Sequence, residues 1–408
     1  MWIGQTLSLI GSSVARFAII WWITERTGSA TTLATLALFA LVPAVLLGPI
    51  AGALVDRWNR KLTIIIADAI TASAIALLAL LFWLDSIVVW HIYVVSFVSA
   101  LGGTFHGVAI MASTSLMVPE KHLARIQGMN QAIQGLLAVA GAPLGALALA
   151  FLPLYAILGL DVFTALFAIV PLLFIRIPQP EKPKQDHQAS DKPASVMTEV
   201  YSGVMYIWQW TGLFLIILSA MVINALVNPI LTLVPILITG HFLGSATELA
   251  WFQSAFGFGV LFGGILLGVW GGFKKKTLML PISLTGMGLC SITIGFTPPS
   301  MLWLACAGIL FFGVLNSMLN GSLIAILQRN IEPAMQGRVF TVMGSGSQGA
   351  VPIGLLVAGP AVDAIGATIW FVIAGVVILG FGALMPFSSH IMKLEESQQP
   401  LKTAQHDS

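Results

Sequence analysis

Twelve apolar runs, each long enough to cross a lipid bilayer, dominate this 408-residue chain. A spanning helix needs about 20 mostly apolar residues. The runs cover roughly 2–24, 33–55, 62–84, 88–116, 128–150, 154–175, 211–238, 249–272, 278–297, 301–327, 339–360 and 365–387. The 88–116 run is long for one span, and Pro153 divides the fifth run from the sixth. Only 8% of the residues are charged, while 58% are hydrophobic. Soluble domains carry about a quarter charged residues, so too few charges are present to coat a water-facing surface. The expected fold class is an all-α membrane protein of twelve transmembrane helices.

The basic residues test that count. Lys and Arg stay on the cytoplasmic side of short loops. Arg57, Arg60 and Lys61 follow the second run, Lys121 and Arg125 the fourth, and Arg176, Lys182, Lys184 and Lys192 the sixth. Lys274, Lys275 and Lys276 follow the eighth, Arg329 and Arg338 flank the tenth-to-eleventh connection, and Lys393 and Lys402 follow the twelfth. Sixteen of the 18 basic residues thus fall on one side, leaving Arg16 and Arg26 elsewhere. A wrong number of spans would scramble this alternation. Both termini are therefore expected in the cytoplasm. The first run starts almost at Met1, without a basic n-region or a small-residue cleavage site, and so reads as a span and not a removed leader. Its abrupt start predicts either a very short cytoplasmic N-terminus or a natural start further upstream.

The polar stretch from Pro178 to Ser195 cannot bury a core and falls at the midpoint of the spans. After it, Val200, Val204, Ile207 and Trp208 recur at helical spacing, predicting an amphipathic helix on the membrane face. The two sides of this stretch repeat. Gly48-Pro-Ile, ending in Trp58-Asn-Arg-Lys61, matches Gly263-Gly-Ile, ending in Phe273-Lys-Lys-Lys276. Ala124-Arg125 likewise matches Gly337-Arg338 at nearly the same offset. The expected organisation is a six-helix half over 1–177, a linker and interfacial helix over 178–210, a second six-helix half over 211–388, and a tail over 389–408. Parallel repeats of this kind are one transporter plan.

The second run ends in Gly52-Ala-Leu-Val-Asp56-Arg57-Trp-Asn-Arg60-Lys61. This resembles the G-x-x-x-D-R-x-x-R-K loop signature of the major facilitator superfamily. The resemblance implies that Gly52 lets helices approach closely, and that Arg57, Arg60 and Lys61 anchor a tight turn. It also implies that Asp56 faces the N-terminus of span eleven, near Arg338, latching the halves in an outward-open state. A carboxylate at a helix N-terminus is favoured by the helix dipole. Asn59 stands where the family often has glycine, and Gly271 replaces the acid in the second half, so the latch is expected to act through Asp56 alone.

Further stretches resemble the macrolide-efflux branch: Thr24-Glu25-Arg26-Thr27-Gly28-Ser29-Ala30, Ala67-Asp68, Phe105-His106, Leu116-Met-Val-Pro119-Glu120, Gly337-Arg338-Val339-Phe340 and Pro352-Ile-Gly354. The resemblance runs over nearly the whole chain except the central linker and tail. It implies a monomeric bacterial exporter of amphipathic drugs, driven by proton entry across the cytoplasmic membrane. Export of a native metabolite such as a siderophore is the alternative within the branch.

Charges inside spans are costly and mark cavities or partners. Four titratable residues qualify: Arg16, Asp68, His106 and Asp161. Arg16 and Asp161 lie at similar depth in spans one and six, which predicts a pair, serving either as a gate or cation contact or as a static tie between helices. His106 lies about ten residues from the inner end of span four. An imidazole titrates near pH 6.5, so proton coupling and simple helix packing are both open. Asp68 is read as bracing the Asp56–Lys61 loop or as titrating.

Gly135, Gly141 and Gly145 in span five and Gly257, Gly259, Gly263, Gly264 and Gly268 in span eight let backbones approach within lipid. In the superfamily these two spans meet between the halves, and Gly141-Ala-Pro143-Leu-Gly145 resembles a degenerate antiporter signature. Trp2, Trp83, Trp90 and Trp208 fit interfacial belts, and Trp21 and Trp22 fall near a cavity mouth or face lipid. An aromatic and methionine-rich cavity would suit a large apolar substrate. Gly344-Ser-Gly346-Ser-Gln-Gly349 fits a dinucleotide fingerprint but lies inside an apolar span without the required strand. Cys290 and Cys306 form no CxxC pair, and no Walker or HExxH motif is present. No metal, cofactor or nucleic-acid partner is expected. An intramembrane enzyme would need a clustered nucleophile, base or metal set, and a sensor would need a soluble domain; the sequence offers neither.

Overall fold

The computed structural model describes residues 2–55, 57–117, 119–174, 196–273, 275–388 and 391, and all regular structure among them is helical. A backbone N–H or carbonyl in lipid finds no water, so each span must close its own hydrogen bonds, which a helix does. In chain order the helices are α1 (Trp2–Thr27), α2 (Ala30–Val55), α3 (Arg60–Trp83), α4 (Val89–Met117), α5 (Glu120–Phe151), α6 (Leu154–Phe174), α7 (Val196–Gln209), α8 (Thr211–Thr232), α9 (Val234–Gly240), α10 (Ala246–Trp270), α11 (Met279–Phe296), α12 (Leu302–Asn330), α13 (Pro333–Ile365) and α14 (Ala367–Leu384). Twelve of these, all but α7 and α9, are long and apolar enough to cross a membrane. The twelve-span reading therefore holds.

Local chemistry explains the boundaries. The 88–116 run is one helix of 29 residues, α4. Leu152 adopts an extended conformation ahead of Pro153, as a residue before proline prefers, and the Pro153 carbonyl then accepts from Ala156 and Ile157 to start α6. The seventh span departs from the expected continuous 211–238 helix. It breaks at Leu233 between α8 and α9, where Pro235 occupies the first turn of the new helix. Proline has no N–H to give the preceding turn and suits a helix start. Three left-handed glycines end helices: Gly28 (φ 58) after α1, Gly271 (φ 75) after α10 and Gly366 (φ 91) after α13. Each donates its N–H back four residues, to Thr24, Leu267 and Val362. The glycine at 271 is thus explained by a helix end that only a residue without a Cβ adopts easily.

The chain forms two compact units. One comprises Met1–Asp186, Thr232–Ser254 and Leu355–Ala367; the other comprises His187–Leu231, Ala255–Gly354 and Thr368–Ser408. In the first, α3 packs along α4 and α6, α2 along α4, and α1 along α5 and α6. Gly4 and Gly11 of α1 have no room for a Cβ against Phe167 and Thr164 of α6, and Gly102 of α4 none against Thr71 of α3. The second unit repeats four of these pairings. α10 meets α12 where Gly259 and Gly263 face Leu310 and Val314, and α11 packs along α12. α11 also meets α14 at Gly288 and Leu379, and α8 meets α13 at Ala225 and Gly354. The duplication read from two loop motifs thus extends to the helix contacts.

Small residues sit at these crossings because helices in lipid gain by close van der Waals approach. The glycines of spans five and eight do this within each repeat. Gly141 and Gly145 face Ser13 and Phe17 of α1, and Gly259 and Gly263 face α12. Spans five and eight do meet, through Ser254 Oγ donating to the Val139 carbonyl at 3.0 Å. Outward surfaces carry large apolar side chains such as Phe151 (78% exposed) and Val269 (85% exposed), as lipid-facing helices should. Trp83, Trp90 and Trp208 are likewise exposed. In α7, Ile207 is buried with Leu213, Leu327 and Val339, while Tyr201 and Trp208 stay exposed. The amphipathic helix α7 therefore packs along one face against the rest of its own unit. Gly203 brings it close to the Arg338 backbone, where a Cβ would stand 3.1 Å from the Arg338 carbonyl oxygen.

Candidate functional site

The loop after α2 is built from helix ends. Asp56, on which the expected latch depends, lies outside the described residues. Asn59 is the N-cap of α3: its side-chain oxygen accepts from the Leu62 N–H at 3.1 Å. That role explains asparagine at this position, since the first N–H groups of a helix lack internal partners. Arg60 is buried, and its Nη1 donates to the Ala112 carbonyl of α4 at 2.7 Å. Lys61 Nζ donates to the Leu173 carbonyl in the last turn of α6 at 2.8 Å. Cations are favoured at helix C-termini by the dipole and the open carbonyls. The loop signature thus ties the start of α3 to the ends of α4 and α6. Arg57 is exposed beside it. A Cβ at Gly52 would meet nothing within 4 Å among the described residues. In the other unit, Arg338 lies in the second turn of α13 with Nη1 3.7 Å from Met335 Sδ.

Two of the four intramembrane residues come together in an unforeseen pair. Asp68 of α3 and His106 of α4 meet across the seam between their helices, with Oδ1 2.6 Å from Nδ1. The contact is close but not aligned as a hydrogen bond, and Asp68 Oδ2 is buried with no hydrogen-bond partner among the described residues. Asp68 therefore faces His106, and no hydrogen bond joins it to the loop among the described residues. A carboxylate and an imidazole brought this close inside two spans form a candidate polar station of the kind that marks a functional path.

The expected Arg16–Asp161 pair is not closed. Asp161 is buried in α6, and its Oδ1 accepts from Ser12 Oγ at 2.9 Å. Ser12 lies one turn from Arg16 on the same face of α1, and the Arg16 charge still acts on Asp161 through space. Arg16 itself is exposed. Gly11 makes the contact feasible, because a Cβ there would collide with Thr164 and approach Asp161 Oδ1 to 3.2 Å.

A groove of about 660 Å³ runs between α3 and α4, lined by Leu62, Ile66, Phe97, Leu101 and Phe105. Trp58 stacks on Phe105 with centroids 5.9 Å apart, and Arg57 and Asn59 stand at that end. Its size falls in the range of drug-sized pockets. The groove is aromatic, as expected of a cavity for large apolar molecules, but no methionine lines it. Trp22 packs edge-on against Phe82. In the second unit a much smaller cavity, about 70 Å³, is edged by the amides of Asn224, Asn316 and Asn320.

Asp363 is a site residue that the pattern of apolar runs does not mark. It falls in the short gap between the eleventh and twelfth runs. The structure places it in the last turn of α13, bonded to the first residues of α2. A signal was present: Asp363 follows its run by three residues, much as Asp56 follows the second run.

Comparison with known proteins agrees with this architecture. A family profile described as Major Facilitator Superfamily matches residues 1–354. Macrolide efflux protein A of Streptococcus pyogenes is 32% identical over 397 residues, which cover 97% of this chain and 96% of that protein. Multidrug efflux pump Tap of Mycobacterium bovis is 26% identical over 369 residues, covering 88% of this chain and 85% of the relative. Among solved structures, a bacterial homologue of the iron transporter ferroportin in an inward-facing state aligns with a TM-score of 0.69. It covers 93% of this chain and 97% of its own at 15% identity, a likeness of fold alone.

Proposed function

The chain belongs to the Major Facilitator Superfamily, and from that premise we propose that it exports amphipathic, macrolide-like drugs across the bacterial cytoplasmic membrane by alternating access coupled to proton entry. The observation that carries this reading is the near full-length similarity to macrolide efflux protein A. The similarity to a multidrug pump widens the set of compounds worth testing. In this reading the halves at 1–177 and 211–388 rock against each other as a monomer, with both termini cytoplasmic and no enzymatic step. Gly52, Asp56, Arg57, Arg60, Lys61 and Arg338 form the inner latch region.

The proton is assigned to Asp68 and His106, supported by their 2.6 Å approach. Arg16 and Asp161 act as a second polar station, with Ser12 holding the carboxylate. Drug susceptibility of an efflux-deficient bacterium expressing the chain tests the whole reading, across macrolides, dyes and quaternary ammonium compounds, with and without a protonophore. Resistance that collapses with the proton gradient is expected. Unchanged susceptibility, with the protein confirmed in the membrane, removes drug export and leaves a native metabolite as cargo. Asp68→Asn and His106→Gln should each bring resistance down towards that of cells lacking the protein, at unaltered membrane levels. Full resistance in both variants would exclude the pair from coupling.

A further inference from the structure

Asp363 ends α13 by capping the start of another helix. Its carboxylate accepts from Ser29 Oγ at 2.9 Å, from the Ala30 N–H at 2.6 Å and from the Thr31 N–H at 3.0 Å. These residues begin α2, more than 330 positions earlier in the chain. One turn before Asp363, Gly359 brings the backbones together: a Cβ there would lie 2.9 Å from Ala34 Cβ and 3.0 Å from Thr31 Cα. Ala30 and Ala34 are buried beneath this crossing.

We propose that Asp363 is a releasable latch, closed in this structure and opened once in each transport cycle, holding the end of α13 to the start of α2. Two observations separate a latch from a permanent tie. α2 already has a local cap, since Ser29 Oγ accepts from the Thr32 N–H at 3.2 Å. Of the backbone groups, Asp363 accepts from the two N–H groups that Ser29 leaves open. The carboxylate is also exposed at its rim, so water can take over both partners when the helices part. Helix N-termini without internal partners are readily satisfied by water.

The arrangement also mirrors the one expected at the other end of the same helices. Asp56 follows α2 and is expected at the start of α13; Asp363 ends α13 and sits at the start of α2. Each helix then gives a carboxylate to the other's N-terminus, at opposite membrane faces and in opposite states. This part of the inference rests on the alternating-access reading.

The test is a distance measurement on the full chain, in detergent and in lipid nanodiscs. Cys290 and Cys306 are replaced by serine, and spin labels are placed at Glu25→Cys and Ala364→Cys, both exposed. Pulsed electron double resonance then reports the spread of separations near the latch. Asp363→Asn and Asp363→Ala should raise the long-distance population about two- to fivefold, the ratio a carboxylate at an exposed helix N-terminus is worth. Asp363→Glu, which keeps the charge, should shift it less. Identical distributions in all variants would overturn the latch. So would collapse of both Asn and Ala variants on size exclusion with recovery in Asp363→Glu, because that pattern assigns Asp363 to permanent folding. A wider distribution in a protein that confers no drug resistance would keep the latch and remove only the export reading.

Discussion

At the scale of single residues, glycines with the same sequence appearance have opposite roles. Gly11 stands where a Cβ would collide with Thr164 Oγ1 and crowd Asp161, whereas a Cβ at Gly48 or Gly52 would meet nothing within 4 Å among the described residues. Gly11→Ala should therefore destabilise the protein by about 1–3 kcal/mol, the usual cost of overpacking. Gly48→Ala and Gly52→Ala should leave thermal stability unchanged or raise it by up to about 1 kcal/mol, the helix-propensity gain of alanine over glycine. Thermal unfolding in detergent, followed by intrinsic fluorescence, distinguishes these outcomes. Equal losses at all three positions would mean that the α1–α6 crossing is not set by Gly11. The same contrast holds among the charges. Asp161 was visible in the sequence as a costly intramembrane acid, but its partner proved to be a serine one helical turn from the arginine expected.

At the scale of elements, helix ends organise the protein more than helix middles do. Asn59 caps α3, Lys61 and Arg60 satisfy carbonyls of α6 and α4, and Asp363 covers the first amides of α2. Each places a charge or a polar oxygen where the macrodipole and the unpaired backbone groups favour it. The helix α7 shows how an amphipathic pattern is divided in three dimensions. Ile207 is only 4% exposed within its cluster, whereas Tyr201 is 63% exposed. Ile207→Ala should cost about 2–5 kcal/mol, as large-to-small core substitutions do. Tyr201→Ala should stay within about 0.5 kcal/mol. Chemical denaturation of the purified protein would show whether α7 is docked in this way; equal, small effects at both positions would detach it.

At the scale of the whole molecule, the repeat is the organising fact. The pairings α2–α4, α3–α4, α3–α6 and α1–α5 recur as α10–α12, α11–α12, α11–α14 and α8–α13. A duplicated bundle provides two similar bodies, and alternating access needs two bodies that rock about a substrate. The susceptibility test with a protonophore belongs to this scale, because it asks what the complete machine moves and what drives it.

The number of spans and the family were legible in the sequence. Each depends on local quantities: whether a stretch of about 20 residues prefers lipid to water, and whether its flanks carry lysine or arginine. The break in the seventh span was not legible, because hydropathy over 211–238 is continuous and does not register where Pro235 starts a new helix. The partners of the buried charges were not legible. Ser12 and Asp161 are 149 positions apart, and Ser29 and Asp363 are 334 apart. Which of them meet depends on how each helix is rotated and how deep it sits, and that is fixed by the close packing of glycines and small side chains across several helices at once. Hydropathy assigned each segment its solvent; only the packed structure decided which side chain each charge would face.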